Sequence, residues 1–180
     1  FSFLAPLFRN AVYVERNSDL CEMAQHNLPL LGAGHARVEC AQAEDFLDGA
    51  GQQDLIFLDP ARRDDAGRKV VALSDCSPDV AALSPALLSR SRVVMVKLSP
   101  MLDIGQALLS LHAVREVHTV SVDGECRELL LVLAAGECRP AYHCVNLGRH
   151  PQSFVTSERH AQPRIAGAPG QFLYEPNASI

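Results

Sequence analysis

The chain has 180 residues, of which 48% are hydrophobic and 21% charged, and its formal net charge is -5. This balance is typical of a soluble globular protein, and it excludes collagen-like, low-complexity and wholly disordered classes. The apolar runs are far shorter than the roughly 20 residues of a membrane-spanning helix, so no membrane partner is predicted. The negative charge gives no overall field that attracts nucleic acid, so an RNA contact requires a local patch.

Six cysteines are scattered along the chain, without a C-x-x-C motif and without metal-ligand spacing relative to the seven histidines. This pattern favours reduced thiols in a cytoplasmic protein, and it predicts neither a disulfide framework nor a bound metal. The chain begins at Phe1 without a methionine and stops at Ile180 within an unfinished segment. We therefore expect a fragment of a longer protein. No residue pattern indicates an oligomeric state.

Short apolar strands alternate with helices in the first 60 residues. Residues 11–15 are apolar and rich in β-forming side chains, and they predict a buried parallel strand. Ser18 is the expected N-cap of the next helix, which a glycine pair ends near Leu31. The other elements predicted here are a strand over 37–40, a short helix over 43–47 and a strand over 54–58 that Pro60 ends.

The middle of the chain continues the same alternation after a long polar segment over 61–78, whose length favours a functional loop. Strands over 116–123 and 128–135, joined by residues 124–127, predict an antiparallel hairpin. This order is that of an α/β doubly wound parallel sheet with a terminal hairpin. The other predicted elements are a helix over 78–90, a strand over 92–97 and a helix over 103–112 with Asp103 as its cap.

The composition and periodicity of the sequence change at Gly136. Five of the 11 prolines fall in 137–180, and helical periodicity disappears. Strand-like pieces over 142–147 and 153–156 remain, and a third is expected to begin at 172–174. The sequence therefore predicts a first domain over 1–136 and a small segment over 137–171.

Candidate ligand contacts follow the first two strands, since ligands of doubly wound sheets bind at the carboxyl ends of the strands. Glu15 closes the first strand, and its carboxylate can accept two hydrogen bonds from a ribose diol. The alternative is a surface pair with Arg16. Gln42 and Ala43 follow the second strand and can contact an adenine edge, or they only form the start of the short helix.

The sharpest candidate follows the third strand. Pro60 rigidifies the turn, so the Asp59 carboxylate and the backbone carbonyl beside it are fixed acceptors that can orient an amine or hydroxyl nucleophile. Arg62 can bind a phosphate or carboxylate through its forked guanidinium. The alternative is a turn in which arginines pair with Asp64 and Asp65. Glu15 and Asp59 are expected to converge on one pocket.

Lys97 ends the fourth strand, which we expect beside the third. It can contact a phosphate or position a substrate. The alternative is a lysine that extends its ammonium group to solvent from an apolar strand. The chain has 14 arginines but only two lysines, Lys69 and Lys97. This rarity favours a specific role for a lysine at a strand end.

These signals together resemble a class I S-adenosylmethionine-dependent methyltransferase. The matching runs are Val-Glu-Arg-Asn at 14–17, Asp-Pro-Ala-Arg-Arg at 59–63 and Lys-Leu-Ser-Pro-Met at 97–101. The run over 59–78, with Ser-Asp-Cys-Ser-Pro-Asp, is similar to that of bacterial methyltransferases with a THUMP-like C-terminal domain. The resemblance implies a Rossmann-like sheet, a small α+β ferredoxin-like segment over 137–171, and the start of a THUMP-like domain in 172–180.

The resemblance also implies a cofactor, S-adenosylmethionine, and an RNA substrate. Glu15, with Arg16 beside it, would hold the ribose of the cofactor. Gln42 and Ala43 would lie near the adenine, where many relatives have an aspartate instead of Gln42. Asp59 and Pro60 match the fourth motif of these enzymes, between the methyl group and the target atom, with Arg62 and Lys97 completing the catalytic group. No cysteine follows these strands, which favours direct transfer to nitrogen or oxygen over a covalent cysteine adduct.

One feature of the resembling family is missing. Its first motif is a glycine-rich turn after a strand, and residues 1–10 contain no glycine. That strand would lie between the strands over 11–15 and 54–58, so we expect a central gap and weak cofactor binding by this chain alone. Two alternatives stay open: an NAD-type oxidoreductase, in which Glu15 would bind the same ribose diol, and a non-catalytic RNA-binding remnant.

Overall fold

The computed structural model describes residues 1–61, 73, 76–136, 139–157, 167–168, 170–172 and 177–179. The chain divides into two compact units, Phe1–Gly51 and Gln52–Ile180. Both units mix strands and helices, as the sequence predicts. Among the described residues, none of the helices has the length and apolar character needed to cross a membrane.

The first unit is a parallel strand pair with two helices. Its small core contains the buried Ala5, Leu28 and Ala33, against which Tyr13 and Val38 pack. Because the two strands run parallel, their carboxyl ends share one edge. The elements are a 3₁₀ turn at Ala5–Leu7, β1 (Val12–Glu15), α1 (Ser18–Leu30), β2 (Arg37–Cys40) and α2 (Ala43–Gly49).

Helix α1 is capped by Asn17, and the prediction that Ser18 is the N-cap is wrong. The Asn17 side chain accepts hydrogen bonds from the backbone N–H groups of Asp19 at 2.9 Å and Leu20 at 3.3 Å. Asn17 has the extended backbone of an N-cap, at φ -85° and ψ 117°, and Ser18 is already helical. Asparagine and serine are about equally good N-caps, so backbone geometry decides between neighbours.

The second unit contains one six-stranded sheet with strand order β3-β4-β6-β5-β7-β8. The β3–β4 and β5–β7 pairs are parallel, and the β4–β6, β5–β6 and β7–β8 pairs are antiparallel. Its elements are β3 (Gln53–Leu58), α3 (Val80–Arg90), β4 (Ser91–Leu98), α4 (Ile104–Ser110), β5 (Val114–Val122), β6 (Glu125–Leu133), β7 (Ala141–Leu147) and β8 (Gln152–Thr156).

The predicted hairpin is present, but its turn differs from the prediction. Asp123 and Gly124 form a two-residue turn with φ of 49° and 80°, and β6 already begins at Glu125. An Asp-Gly pair fits such a turn because both positions require positive φ, which Asp tolerates and Gly favours. The expected turn over 124–127 is therefore wrong, since residues 125–127 belong to the strand. Asp103 caps α4 as predicted, by accepting the N–H of Gln106 at 3.1 Å.

The two faces of the large sheet differ in burial because successive strand residues point to opposite sides. One face is the core of the unit, and the other is half-exposed. A single row of paired residues on the half-exposed face runs across four strands, from Lys97 through Leu130 and His118 to His143. The core face includes five residues that are at most 1% exposed: Val94, Val96, Val117, Leu131 and Leu133.

Strands β7 and β8 continue the sheet of the preceding residues, since β7 pairs with β5 from Glu116–Ala141 to Val122–Leu147. Continuity of a sheet does not define a folding unit, so the predicted limits at 136 and 171 stay predictions. The strand expected at 172–174 falls largely outside the described residues. In the described part of the chain, β1 pairs only with β2 and β3 only with β4, in two separate sheets.

Candidate active site

Four predicted cofactor contacts lie at the carboxyl edge of the β1–β2 pair. Glu15 is in register with Cys40, and the Ala41 N–H donates to the Glu15 carbonyl at 3.0 Å. Glu15 and Arg16 therefore leave β1 beside the point where Gln42 and Ala43 leave β2. The parallel register of two short strands brings these residues together.

The Glu15 carboxylate is held by the turn that follows it. Its Oε1 accepts the backbone N–H of Asn17 at 2.8 Å, and Asn17 in turn caps α1. An ionised carboxylate offers about four lone-pair positions, so Glu15 retains acceptors for a diol. Gln42 is exposed at the N-cap position of α2, and its side chain makes no capping hydrogen bond. Its amide is therefore available to a ligand.

Two thiols, those of Cys21 and Cys40, contact backbone carbonyls at the carboxyl edge of the β1–β2 pair. No pattern in the sequence predicts these contacts. Cys21 is 4% exposed and donates a hydrogen bond to the Glu15 carbonyl at 3.2 Å. Desolvation by burial, followed by the hydrogen bond and charge of Cys40, raises the pKa of Cys21 to about 11. Cys21 is therefore a protonated thiol at neutral pH, and it acts as a structural donor rather than a nucleophile.

The second group of predicted residues lies at the carboxyl edge of the β3–β4 pair. Leu58 is in register with Val96, which sets Asp59 beside Lys97. The Lys97 ammonium lies 3.0 Å from Asp59 Oδ1 and 3.5 Å from Glu128 Oε2. Sequence reasoning missed Glu128, because it reaches Lys97 only through the antiparallel pairing of β4 with β6.

Lys97 stays charged in this arrangement. Burial alone would lower the pKa of Lys97, but hydrogen bonding and the charges of Asp59 and Glu128 outweigh it, and the net pKa lies above its ordinary value. An ammonium ion between two carboxylates is already neutralised. This balance favours a lysine that holds Asp59 in place over one that binds a phosphate directly.

A small cleft opens at this edge. Its volume of about 100 Å³ is well below the roughly 300–1,000 Å³ of ligand pockets. It can take a reacting group, but a nucleoside-sized ligand must also contact residues beyond it. The cleft is lined by Asp59, Pro60, Lys97, Leu98, Ser99, Pro100, Arg127 and Glu128.

The two residues that flank the segment after Asp59, Ala61 and Ser77, are hydrogen-bonded to each other. Pro60 is buried, and Ala61 and Ser77 exchange backbone hydrogen bonds of 2.8 and 3.0 Å. Arg62, the remaining predicted catalytic residue, lies outside the described residues. The expected convergence of Glu15 and Asp59 on one pocket stays a prediction, because these residues belong to different compact units.

Comparison with known proteins supports the resemblance at a general level. No family model and no curated protein matches the chain. Among solved structures, the crystal structure of a "putative methyltransferase from Porphyromonas gingivalis W83" superimposes with a TM-score of 0.68 and 33% sequence identity over 81% of this chain. The chain spans 38% of the length of that protein. It is therefore a mixed α/β chain with a methyltransferase-like fold.

Proposed function

We propose that this protein transfers a methyl group from S-adenosylmethionine to a nitrogen or oxygen of RNA, without a covalent cysteine intermediate. The observation that carries the proposal is the Asp59–Pro60 pair, fixed at a strand edge by Lys97 3.0 Å away. The likeness to the protein from Porphyromonas gingivalis supports the reaction class. We assign the chain to the bacterial methyltransferases with a THUMP-like domain, on the sequence resemblance.

The residues of the β1–β2 edge have the chemistry that this cofactor requires. The cofactor supplies an electrophilic methyl group on a positively charged sulfur. Glu15 would bind its ribose diol, and the turn to Asn17 holds that carboxylate in one orientation. Arg16 would lie beside this ribose contact, and Gln42 and Ala43 would lie near the adenine.

Asp59 would orient the nucleophile. Because Lys97 contacts Oδ1, the second carboxylate oxygen can accept a hydrogen bond from an amine or hydroxyl of the substrate. The nucleophile's lone pair would then face the methyl group that the bound cofactor supplies. The proton lost by the nucleophile passes to Asp59 or to water. Pro60 fixes the backbone carbonyl beside it as a further acceptor.

The remaining parts of the proposal concern the partner and the organisation of the protein. Arg127 lines the cleft, and Arg62 would contact phosphate of the RNA. These contacts are local, since the chain as a whole carries a net charge of -5. We also propose a cytoplasmic location, a domain limit near 136, a ferredoxin-like segment over 137–171 and the start of a THUMP-like domain after it.

Incubation of the full-length protein with cellular RNA and methyl-labelled S-adenosylmethionine tests the proposal. We expect label in RNA that survives protease and is released as a methylated nucleoside by nuclease digestion. Nucleoside mass spectrometry identifies the modified atom. Absence of label from every RNA fraction, together with calorimetric binding of NAD rather than S-adenosylmethionine, would overturn the proposal in favour of the oxidoreductase.

A further inference from the structure

Two histidines and a glutamate meet on the half-exposed face of the large sheet, away from the proposed methyl-transfer residues. Glu116, His118 and His143 each offer one ligand atom, and these three atoms lie within 4.8 Å of one another. We propose that this His118 cluster (Glu116, His118 and His143) binds a divalent transition-metal ion, with Zn²⁺ as the expected ion.

Strand geometry assembles the cluster. Glu116 and His118 are two residues apart on β5 and therefore point to the same face. His143 lies opposite His118 in the parallel β5–β7 pairing, so its side chain emerges on that face too. The two imidazole rings stack with centroids 4.3 Å apart and an interplanar angle of 9°. The rigid sheet thus brings all three side chains to one place on its face before any ion binds.

The distances leave room for an ion after small side-chain movements. Glu116 Oε2 lies 2.7 Å from His118 Nε2 and 4.0 Å from His143 Nε2. Zinc bonds of about 2.0–2.1 Å in tetrahedral geometry set ligand atoms about 3.4 Å apart. The shorter distance must therefore widen and the longer one must shrink, each by less than about 1 Å. Rotation of the glutamate side chain can supply both changes, and a tilt of one imidazole ring out of the stack brings both ring nitrogens onto the same ion.

The chemistry of the three ligands selects the class of ion. Imidazole nitrogen favours zinc and its first-row neighbours, whereas Mg²⁺ and Ca²⁺ favour sets made of oxygen alone. The three side chains are between 23% and 43% exposed, which leaves a fourth position open to water. Two histidines, one glutamate and a water make up one of the known catalytic zinc ligand sets.

The metal-free alternative is a hydrogen bond between Glu116 and His118 with His143 stacked beside it. That arrangement explains the contact at 2.7 Å but leaves His143 Nε2 4.0 Å from the same carboxylate oxygen, beyond hydrogen-bond distance. One cation between the three atoms would satisfy both imidazoles at once. Convergence of two imidazole nitrogens on one oxygen therefore favours the metal.

Isothermal calorimetry of the metal-free chain with ZnCl₂ is the direct test. We expect one equivalent to bind, and His143→Asn to weaken binding by more than the roughly 10- to 100-fold that loss of an outer-sphere partner causes. The matched control is His150→Asn, an exposed histidine outside the cluster, which should bind zinc as the unchanged chain does. Equal affinity in the His143→Asn and unchanged chains would overturn the proposal.

Two further measurements keep the test independent of folding and of cysteine. Imidazole proton resonances of the unchanged chain, assigned with His118→Asn and His143→Asn, should shift for these two histidines when zinc is added. Shifts confined to other histidines would contradict the site. Cobalt(II) should give visible absorption without thiolate charge-transfer bands, whereas strong thiolate bands would place the ion on cysteine ligands and overturn the proposal.

Discussion

Two polar clusters on the sheet of residues 52–180 differ in the origin of their positive charge. In the Lys97 cluster (Asp59, Lys97 and Glu128), a lysine of the chain lies between two carboxylates. In the His118 cluster, one carboxylate faces two imidazoles, and none of these three residues is a lysine or an arginine. The first cluster contains its own cation, whereas the second can gain from a cation taken from solution.

Their positions on the strands differ as well. The Lys97 cluster lies at a carboxyl edge, where Asp59 has left β3 and an approaching substrate can reach it. The His118 cluster lies within β5 and β7, where the ladder fixes side-chain positions more tightly. A rigid surface suits a metal ion, and an open edge suits an exchanging substrate. The proposed methyl-transfer site and the proposed metal site therefore differ in their position on the strands, and different substitutions address each of them.

The largest expected effect is at Asp59. Asp59→Asn removes the charged acceptor that would orient the nucleophile, and we expect methyl transfer by the full-length protein to fall about 10²- to 10³-fold in kcat, as for other fixed polar groups of active sites. Asp54→Asn, at the opposite end of the same strand, is the matched control and should retain full activity. A loss below about threefold at Asp59 would show that its carboxylate is not a catalytic acceptor.

Lys97→Met is expected to have a smaller effect on the same reaction. The substitution keeps the Asp59 carboxylate but removes the ammonium 3.0 Å from it, so the acceptor loses its fixed orientation. We expect a decrease in kcat of about tenfold, by analogy with lost positioning contacts. Single-turnover rates with Lys97→Arg should recover part of the loss, because a cation is restored. Equal activity in Lys97→Met and the unchanged protein would assign Lys97 to stability alone.

The two clusters were not equally accessible to prediction from the sequence. Asp59 and Lys97 were predicted because each lies at the end of an apolar strand, and neighbouring parallel strands end at one edge. Glu128 and His143 depend on which residue of another strand lies opposite, and this register is not visible in the spacing. On β5 the register also shifts between Val114 and Glu116 and again between Val120 and Ser121, so simple alternation fails.

Local backbone geometry explains the smaller errors. Asn17 and Ser18 are both good capping residues, and only the backbone angles decide between them. The Asp123–Gly124 pair is a strong hairpin signal, but the predicted turn covered residues 124–127 and so included Glu125 and Arg127. In the structure these residues extend the strand, since charges are tolerated where a hairpin projects into solvent. Element types were therefore predictable, whereas caps, turns and register were not.

The charge of Lys97 is expected to act on an ion bound at the His118 cluster. Lys97 and His118 are separated by two strand spacings in one row of the sheet, or about 10 Å between Cα atoms. At that distance a unit charge and a divalent ion of the same sign repel each other in water by about 0.8 kcal/mol. Lys97→Met should therefore tighten zinc binding about fourfold at low salt, and calorimetry at high salt should show no difference. A tenfold change would indicate structural coupling instead.

The smallest expected effect is the pH dependence of the Lys97 cluster. The folded pKa of Lys97 lies above its ordinary value of 10.5, so the cluster's stabilisation is fully present below about pH 10.5 and is lost as the pH rises through the folded pKa. Because the three side chains are between 34% and 56% exposed, we expect less than about 1 kcal/mol. Urea unfolding of the unchanged chain and Lys97→Met should give a constant difference from neutral pH to about pH 10 and a shrinking one above it. A difference that instead disappeared on acidification from pH 8 to pH 6 would mean that the Lys97 ammonium is not the group responsible, since it is fully protonated across that range.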